Sequence, residues 1–353
     1  MVDWNSSMTQ TYEYYIVDPD TWKDKDQLRS VTACTIKRDS DSKTLGSATF
    51  NVSEYIGECY IRAYLVTIQN GITEKHPLGT YLVQTPGLSF DGRMQSVSVD
   101  AYSPLHELNE NPTPIGYSIL KGENIMSIAY RLCRERMRPP VIEAENDTTL
   151  FYDFVSNTDD TWLEFLTDLI ANAKYLFDLD ELGRVLFSPK QDTSSLQPVW
   201  TYDDSNISIL YPDISVDRDL YGIPNVVEVL YSTGGGYYYA KVVNDDSNSP
   251  ISTVSRGREI TKRITNPDLA GDATQDQIQE YAENLLRELS SLECTLSYKH
   301  GYCPVRVGDC VRINYERAGL VDIKAKVISQ SIKCEPGCPV TEKAVFTYKL
   351  WKG

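Results

Sequence analysis

Alternation of apolar and polar positions dominates the first hundred residues and predicts strands. Cys34 and Ile36 alternate with polar neighbours, and Ala48, Phe50 and Val52 share one face of "SATFNVS". "CYIRAYLVTI" carries bulky residues on both faces, as a strand covered on both sides does. "LGTYLVQ" (Leu78–Gln84) and "MQSVSVDAY" follow, joined through a turn at Asp91-Gly92, where the glycine supplies positive-φ chemistry. Five antiparallel strands in this stretch predict a small barrel or sandwich, and Pro112 and Pro114 mark its end.

The period then changes. In "NIMSIAYRLCRER", Ile125, Ile128, Ala129, Leu132 and Cys133 form one stripe of a short amphipathic helix that stops before Pro139 and Pro140. A second helix is expected over 160–174, with Trp162, Phe165, Leu166, Leu169 and Ile170 on its apolar side. Asn157 or Thr158 is the expected cap. "YLFDLDELGRVLFSPK" reads as a hairpin turning at Glu181 to Gly183. Further on, "PNVVEVLY" and "YYYAKVVN" flank the glycine-rich "STGGG", and residues 244–257 read as an exposed loop. Thr274 and Gln277 form a capping box, after which Ile278, Tyr281, Ala282, Leu285, Leu286 and Leu289 line a helix face. "CTLSYKH", "DCVRINYE", "KAKVISQSIKC" and "KAVFTYKLW" return to strands.

The fold class expected from this order is mainly β with an α+β insert. It comprises two strand-rich blocks, read as β-barrel or sandwich domains, around a mixed αβ domain. The divisions fall at 1–110, 111–200 and 201–353, the last with an inserted loop and helix at about 240–300.

Composition sharpens this picture mainly by exclusion. Among 353 residues, 34 Lys and Arg face 50 Asp and Glu, for a net charge of -16. Phosphate binding rests on concentrated positive charge, so specific nucleic-acid binding is not expected. Much of the surplus lies between Glu143 and Glu181, where eleven acidic residues accompany one basic residue, Lys174. No stretch is apolar enough to span a bilayer, and the first residues lack the basic and apolar regions of a secretory signal. The eight cysteines (34, 59, 133, 294, 303, 310, 334 and 338) are scattered, which predicts buried thiols in a reduced cytoplasm. Cys303 with Cys310 and Cys334 with Cys338 stand at C-x6-C and C-x3-C spacing, which does not match a zinc knuckle.

Catalytic chemistry finds little support. His76, His106 and His300 form no H-x-x-x-H pair. There is no P-loop lysine and no G-x-S-x-G elbow. Asp178 with Asp180 and Asp159 with Asp160 are carboxylate pairs that solvation, hairpin formation and helix capping explain without catalysis. No catalytic, cofactor-binding or metal-ligating residue is nominated, no cofactor is expected, and the chain reads as a non-enzyme. The 24 tyrosines say more. Tyr237, Tyr238 and Tyr239 in succession put aromatics on both faces of a strand, which suits contact with another protein, with ordinary burial between two layers the alternative.

Three stretches carry a resemblance to a known family. They are "LGTYLVQTPGLSFDGRMQSVSVDAYSPLHEL" (Leu78–Leu108), "TWLEFLTDLIANAKYLFDLDELGRVLF" (Thr161–Phe187) and "YAENLLRELSSLECTLSYKHGYCPVRVGDCVRI" (Tyr281–Ile313). Their order resembles the phage tail baseplate hub family, typified by the central hub of contractile phages and by prophage tail proteins of Gram-positive bacteria. That resemblance implies a homotrimer whose paired tube-like domains make a pseudo-sixfold ring. The ring joins a hexameric tail tube to a trimeric spike or fibre and contacts other baseplate proteins. It also implies a lumen passed by DNA or tape-measure protein, and residence in the tail baseplate of a virion or phage-like particle assembled in the bacterial host cytoplasm. "GYSILKGENIMSIAYRL" is also similar to the start of a LysM module, which keeps open a cell-wall or carbohydrate-binding alternative.

Overall fold

The computed structural model describes residues 2–90, 95–191, 193, 195–233, 236–267, 269 and 273–351. The turn expected at Asp91-Gly92 and the middle of "STGGG" lie outside the described residues. The first block forms β1 (Thr9–Val17), β2 (Asp24–Gln27), β3 (Val31–Asp39), β4 (Gly46–Val52), β5 (Cys59–Gln69), β6 (Ile72–Phe90) and β7 (Gln95–Tyr102). The expected inward face of β4 is correct, since Ala48, Phe50 and Val52 are buried, and Val97, Val99 and Ala101 on β7 are buried beside them. Both faces of β5 are covered, Arg62 and Thr67 included.

The middle segment contributes α1 (His106–Asn109), β8 (Ser118–Ile119), α2 (Ile125–Arg136), β9 (Phe154–Val155), α3 (Trp162–Ala171), β10 (Tyr175–Leu179) and β11 (Val185–Pro189). Asn124 caps α2 by accepting from Ser127 N. The cap of α3 is Thr161, not Asn157 or Thr158, because Glu164 completes a reciprocal capping box with it. α2 and α3 bury Ile125, Leu132, Phe165 and Leu169 in one cluster, closed by Val185 and Phe187 from the β10–β11 hairpin. At the junction of the two helices the Arg136 guanidinium lies 3.5 Å from the Trp162 ring centre.

Beyond residue 199 come β12 (Trp200–Asp203), β13 (Leu210–Arg218), β14 (Val226–Thr233), β15 (Gly236–Val243), α4 (Thr253–Arg256), β16 (Thr261–Thr265) and α5 (Gln275–Leu289). The chain finishes with β17 (Ser291–Gly301), β18 (Cys310–Tyr315), β19 (Leu320–Lys333) and β20 (Pro339–Lys349). The expectation of an exposed loop over 244–257 is corrected. The segment includes α4, and Asn244, Ser249, Ile251 and Ser252 within it are buried. Ser249 Oγ donates to Leu350 O, and Asn244 Nδ2 donates to Ser249 Oγ.

The barrel or sandwich domains expected from the strand pattern are also corrected. Among the described residues a 13-stranded mixed sheet runs in the order β13-β17-β20-β19-β3-β4-β7-β6-β5-β1-β2, with β18 pairing β19 and β12. Its two ends, β13 and β2, are different strands that do not meet, so the sheet is open and no barrel forms. The physical reason lies at β3. Its backbone edge, which closure of the first block would have to satisfy, pairs instead with β19, from Ser329↔Asp39 to Lys333↔Thr35. The outer strand β2 is short, charged and exposed, a poor template for a further strand.

By density of internal contacts the chain divides into two units. The first comprises Met1–Ile214 and Tyr298–Lys343, and the second Ser215–Ser297 and Ala344–Gly353. The first unit's sheet core gathers Ile36, Phe50, Ile61, Leu65 and Val99 with Ile332 and Val340. In the second, Val227, Val229, Tyr231 and Ala240 of the β15-β14-β16 sheet pack against Ile278, Ala282 and Leu286 of α5.

Candidate functional site

The histidine with the most partners is His300, near the end of β17. Its ring is 1% exposed, and Tyr202, Tyr298, Cys303, Gln330 and Glu342 around it are each buried. His300 Nδ1 donates to Gly301 O at 2.7 Å, and Nε2 lies 3.4 Å from Glu342 Oε2. Tyr298 Oη donates to the other Glu342 oxygen, and Gln330 Nε2 donates to Glu342 Oε2 at 2.6 Å. Burial alone would push the imidazolium pKa down. Hydrogen bonding to Cys303 and the Glu342 carboxylate outweighs that and raises it to about 10. Both ring nitrogens are therefore protonated at neutral pH and both face acceptors.

Cys303 Sγ stands 4.0 Å from His300 Nδ1 and 3.2 Å from Tyr202 Oη. A cysteine, a histidine and a glutamate thus meet in a row that superficially suits nucleophilic catalysis. The chemistry of the row argues against that use. An imidazolium has no lone pair to take the thiol proton, its Nδ1 is committed to a carbonyl, and no member is exposed enough to meet a substrate. The arrangement works as a buried ion pair with satisfied hydrogen bonds.

From Glu342 a polar path continues toward a cleft. Arg38 Nη1 donates to Gln330 Oε1 at 3.3 Å, and its Nη2 donates to Leu78 O at 2.7 Å. The same Nη1 lies 3.6 Å from Glu181 Oε1, which also receives Arg306 Nε at 2.9 Å. Arg306 Nη2 reaches Leu179 O at 2.6 Å and Asp178 Oδ1 at 3.5 Å. These contacts hold the tip of the β10–β11 hairpin. Trp22 Nε1 donates to Leu182 O at 2.8 Å, and Arg62 Nη2 donates to the same carbonyl at 3.0 Å. Beside the hairpin is a cleft of about 480 Å³, lined by Tyr81, Leu176, Leu179, Pro189, Val307 and Asp309 among others. Burial raises the Asp309 carboxyl above the usual range, and the neighbouring Glu181 and Asp178 charges add to the shift while its backbone bond to Arg306 opposes it.

The other sequence candidates are placed separately. His76 packs edge-on against Trp4, 4.9 Å between ring centres, and burial pushes its pKa down. His106 stacks on Tyr102 at 4.6 Å. Asp178 accepts from Ser188 Oγ, and Asp180 accepts from Arg184 N at 2.8 Å within the hairpin turn. Asp160 accepts from Asn157 N at 2.8 Å. Cys303 joins the His300 cluster, whereas Cys334 and Cys338 pack with Cys34 in the sheet core. Among the described residues no group of three or more His, Cys, Asp or Glu is placed to hold a metal ion. No described helix is long and apolar enough to cross a membrane. Of the tyrosine run, Tyr237 is 71% exposed and Tyr239 47%, while Tyr238 sits opposite Tyr231 in the β14–β15 register. Sequence reasoning missed Glu342, Arg38 and Arg306. Each has an ordinary strand or loop context, and only non-local pairing gives it a partner.

No family model matches the chain, and no curated protein matches it. Solved structures do. The tail protein from Neisseria meningitidis MC58 is similar over 95% of this chain and 97% of its own, with a TM-score of 0.62 and 12% identity. The 43 kDa tail protein of prophage MuSo2 from Shewanella oneidensis is similar over 95% of this chain and 98% of its own, with a TM-score of 0.59 and 13% identity. A chain of the half-lidded Francisella PdpA–VgrG complex is similar over 96% of this chain but 58% of its own, with a TM-score of 0.55 and 9% identity. The chain therefore shares its fold, over nearly its whole length, with two tail proteins and a chain of a PdpA–VgrG complex. At these identities the likeness concerns the fold alone.

Proposed function

We propose that this chain is a structural hub of a phage or phage-like tail baseplate, joining a hexameric tail tube to a trimeric spike or fibre. The observation that carries the reading is end-to-end similarity to two tail proteins, in which almost none of either chain is left over. The hub acts as a homotrimer without catalysis and contacts tail-tube, spike or fibre and other baseplate proteins, with tape-measure protein a further partner. It resides in the tail baseplate of a particle assembled in the host cytoplasm. Segments 1–110, 111–200 and 201–353 are its proposed domains. In support, the middle segment supplies most of one hydrophobic cluster, which Leu105 and Leu108 join from the first segment. The hairpin-tip contacts of Arg38, Arg62 and Arg306 give that segment a fixed place in the first unit, as a load-transmitting part requires. Imaging of assembled tails tests the proposal. Three copies at the tube–spike junction are expected, and absence of the chain from the particle would refute it.

A second reading, carbohydrate binding by the middle segment, is favoured by one observation. Phe151 and Tyr152 are each about three-quarters exposed and lie beside Leu120 and Lys121, on the loop that leads into α2. Sedimentation with purified peptidoglycan tests it. Retention no greater than that of an unrelated acidic protein discards it.

A further inference from the structure

The β3–β19 pairing that keeps the large sheet open also brings two thiols together. The antiparallel register runs through Ile332↔Ile36 and Lys333↔Thr35, so the next pair is Cys334 opposite Cys34. Cys334 N donates to Cys34 O at 3.0 Å, which confirms that the pairing continues through these two residues. Directly opposed residues of an antiparallel pair point to the same face, with Cα atoms roughly 4.5–5.5 Å apart. That lies inside the roughly 4.4–6.8 Å range a disulfide requires. The side chains do share a face: Cys34 belongs to the sheet core, and Cys334 packs against the same cluster. Burial pushes the Cys34 thiol pKa well up, and contact with the Cys334 thiol adds to the shift.

We propose that Cys34 and Cys334 are a disulfide-forming pair that cross-links the first and last sheet blocks when the protein meets a peroxide oxidant. The two thiols differ in access, which sets the order of steps. Cys334 is only partly buried, whereas Cys34 is buried. The Cys334 thiolate attacks one oxygen of hydrogen peroxide, the O–O bond breaks, and hydroxide leaves, so that Cys334 becomes a sulfenic acid. Cys34 sulfur then attacks the Cys334 sulfur. The S–O bond breaks, and the departing hydroxyl takes the Cys34 proton and leaves as water. Two electrons pass from the thiol pair to one peroxide, which ends as two waters once the Cys334 proton is counted. Because the linked residues lie near opposite ends of the chain, the bond closes a very long loop and constrains the unfolded state strongly.

A competing partner is close at hand. Cys338 is buried in the same cluster, four residues beyond Cys334 in a C-x3-C arrangement, and Tyr12 Oη donates to Glu335 O at 2.7 Å in the intervening turn. The turn is held by Cys338 N donating to Glu335 O at 2.8 Å. Cys338 is not a cross-strand neighbour of Cys334, so the register favours Cys34.

The test treats the full chain with dilute hydrogen peroxide, blocks remaining thiols by alkylation and maps peptides without reduction. The expected result is loss of two of the eight thiols, a peptide joining Cys34 to Cys334, and reversal by a dithiol reductant. Thermal unfolding of the oxidised protein is expected several degrees above that of the reduced form, a shift that Cys34→Ser abolishes. The map on unsubstituted protein decides the matter even if Cys34→Ser folds poorly. A Cys334–Cys338 link, a Cys334 that stops at sulfinic acid, or eight unreacted thiols would each overturn the proposal.

Discussion

At the scale of single residues, His300 and Glu342 set a pH dependence with a definite sign. The folded-state pKa of His300, about 10, is raised above the ordinary 6.5, so the folded protein holds this proton more tightly than the unfolded chain does. Its stabilisation is fully present below pH 6.5 and is lost as pH climbs through about 10. Denaturant unfolding across that window is expected to show falling stability with rising pH, and His300→Gln to flatten the slope. Glu342→Gln removes the negative partner and leaves the buried imidazolium facing a neutral amide. It is expected to cost about 3 kcal/mol at neutral pH, measured by the same unfolding curves. A stability that does not change between pH 6.5 and 10 would contradict the assignment.

At the scale of elements, the β10–β11 hairpin shows how a local turn becomes a tertiary joint. Gly183 adopts φ +72°, and a Cβ there would stand 2.7 Å from Thr80 Cβ. Gly183→Ala therefore combines backbone strain with a clash and is expected to destabilise by about 2 kcal/mol. Glu181→Ala acts differently, since it removes the acceptor shared by Arg38 and Arg306 while leaving the turn intact. Amide exchange over Tyr175–Pro189 is expected to quicken in that variant, whereas exchange in β4 stays slow. The capping box of α5 gives a third case. Thr274→Ala is expected to cost about 1 kcal/mol, because Gln277 N loses its acceptor.

These elements also mark how far the chain alone could be read. Thr274 with Gln277 and the stripe behind them specify α5 locally, and the alternation of Ala48, Phe50 and Val52 specifies a strand with one inward face. The α3 cap was misplaced because Asn157, Thr158 and Thr161 all suit a cap, and only the Glu164 side chain reaching back to Thr161 decides among them. Residues 244–257 looked exposed because their polarity is high. Their polar groups are satisfied internally, Asn244 by Ser249 and Ser249 by Leu350 O, and the second partner lies too far along the chain for any local pattern to report it.

At the scale of the whole molecule, the surface matters more than the core. Tyr237 has little burial to lose, so Tyr237→Ser is expected to leave the unfolding temperature of the free chain nearly unchanged. If β15 presents this face to a baseplate partner, the same substitution reduces the amount of chain recovered in assembled tails. Quantitative mass spectrometry of purified particles separates the two effects. Normal incorporation together with normal stability would exclude this face from assembly.

The strands and helices of this protein, and most of their inward faces, were set by residue periodicity and capping, which act over one to four positions. Its acidic balance and its lack of catalytic motifs were equally open to reading. What only the tertiary structure decided is which strand edges meet. An edge offers backbone groups that are the same in every strand, so the alternation on β3 is equally compatible with closure into a small barrel or pairing with β19. The pairing that formed opened the sheet, placed Cys34 opposite Cys334, and joined Arg38 to Gln330 on β19 in the path between His300 and the hairpin.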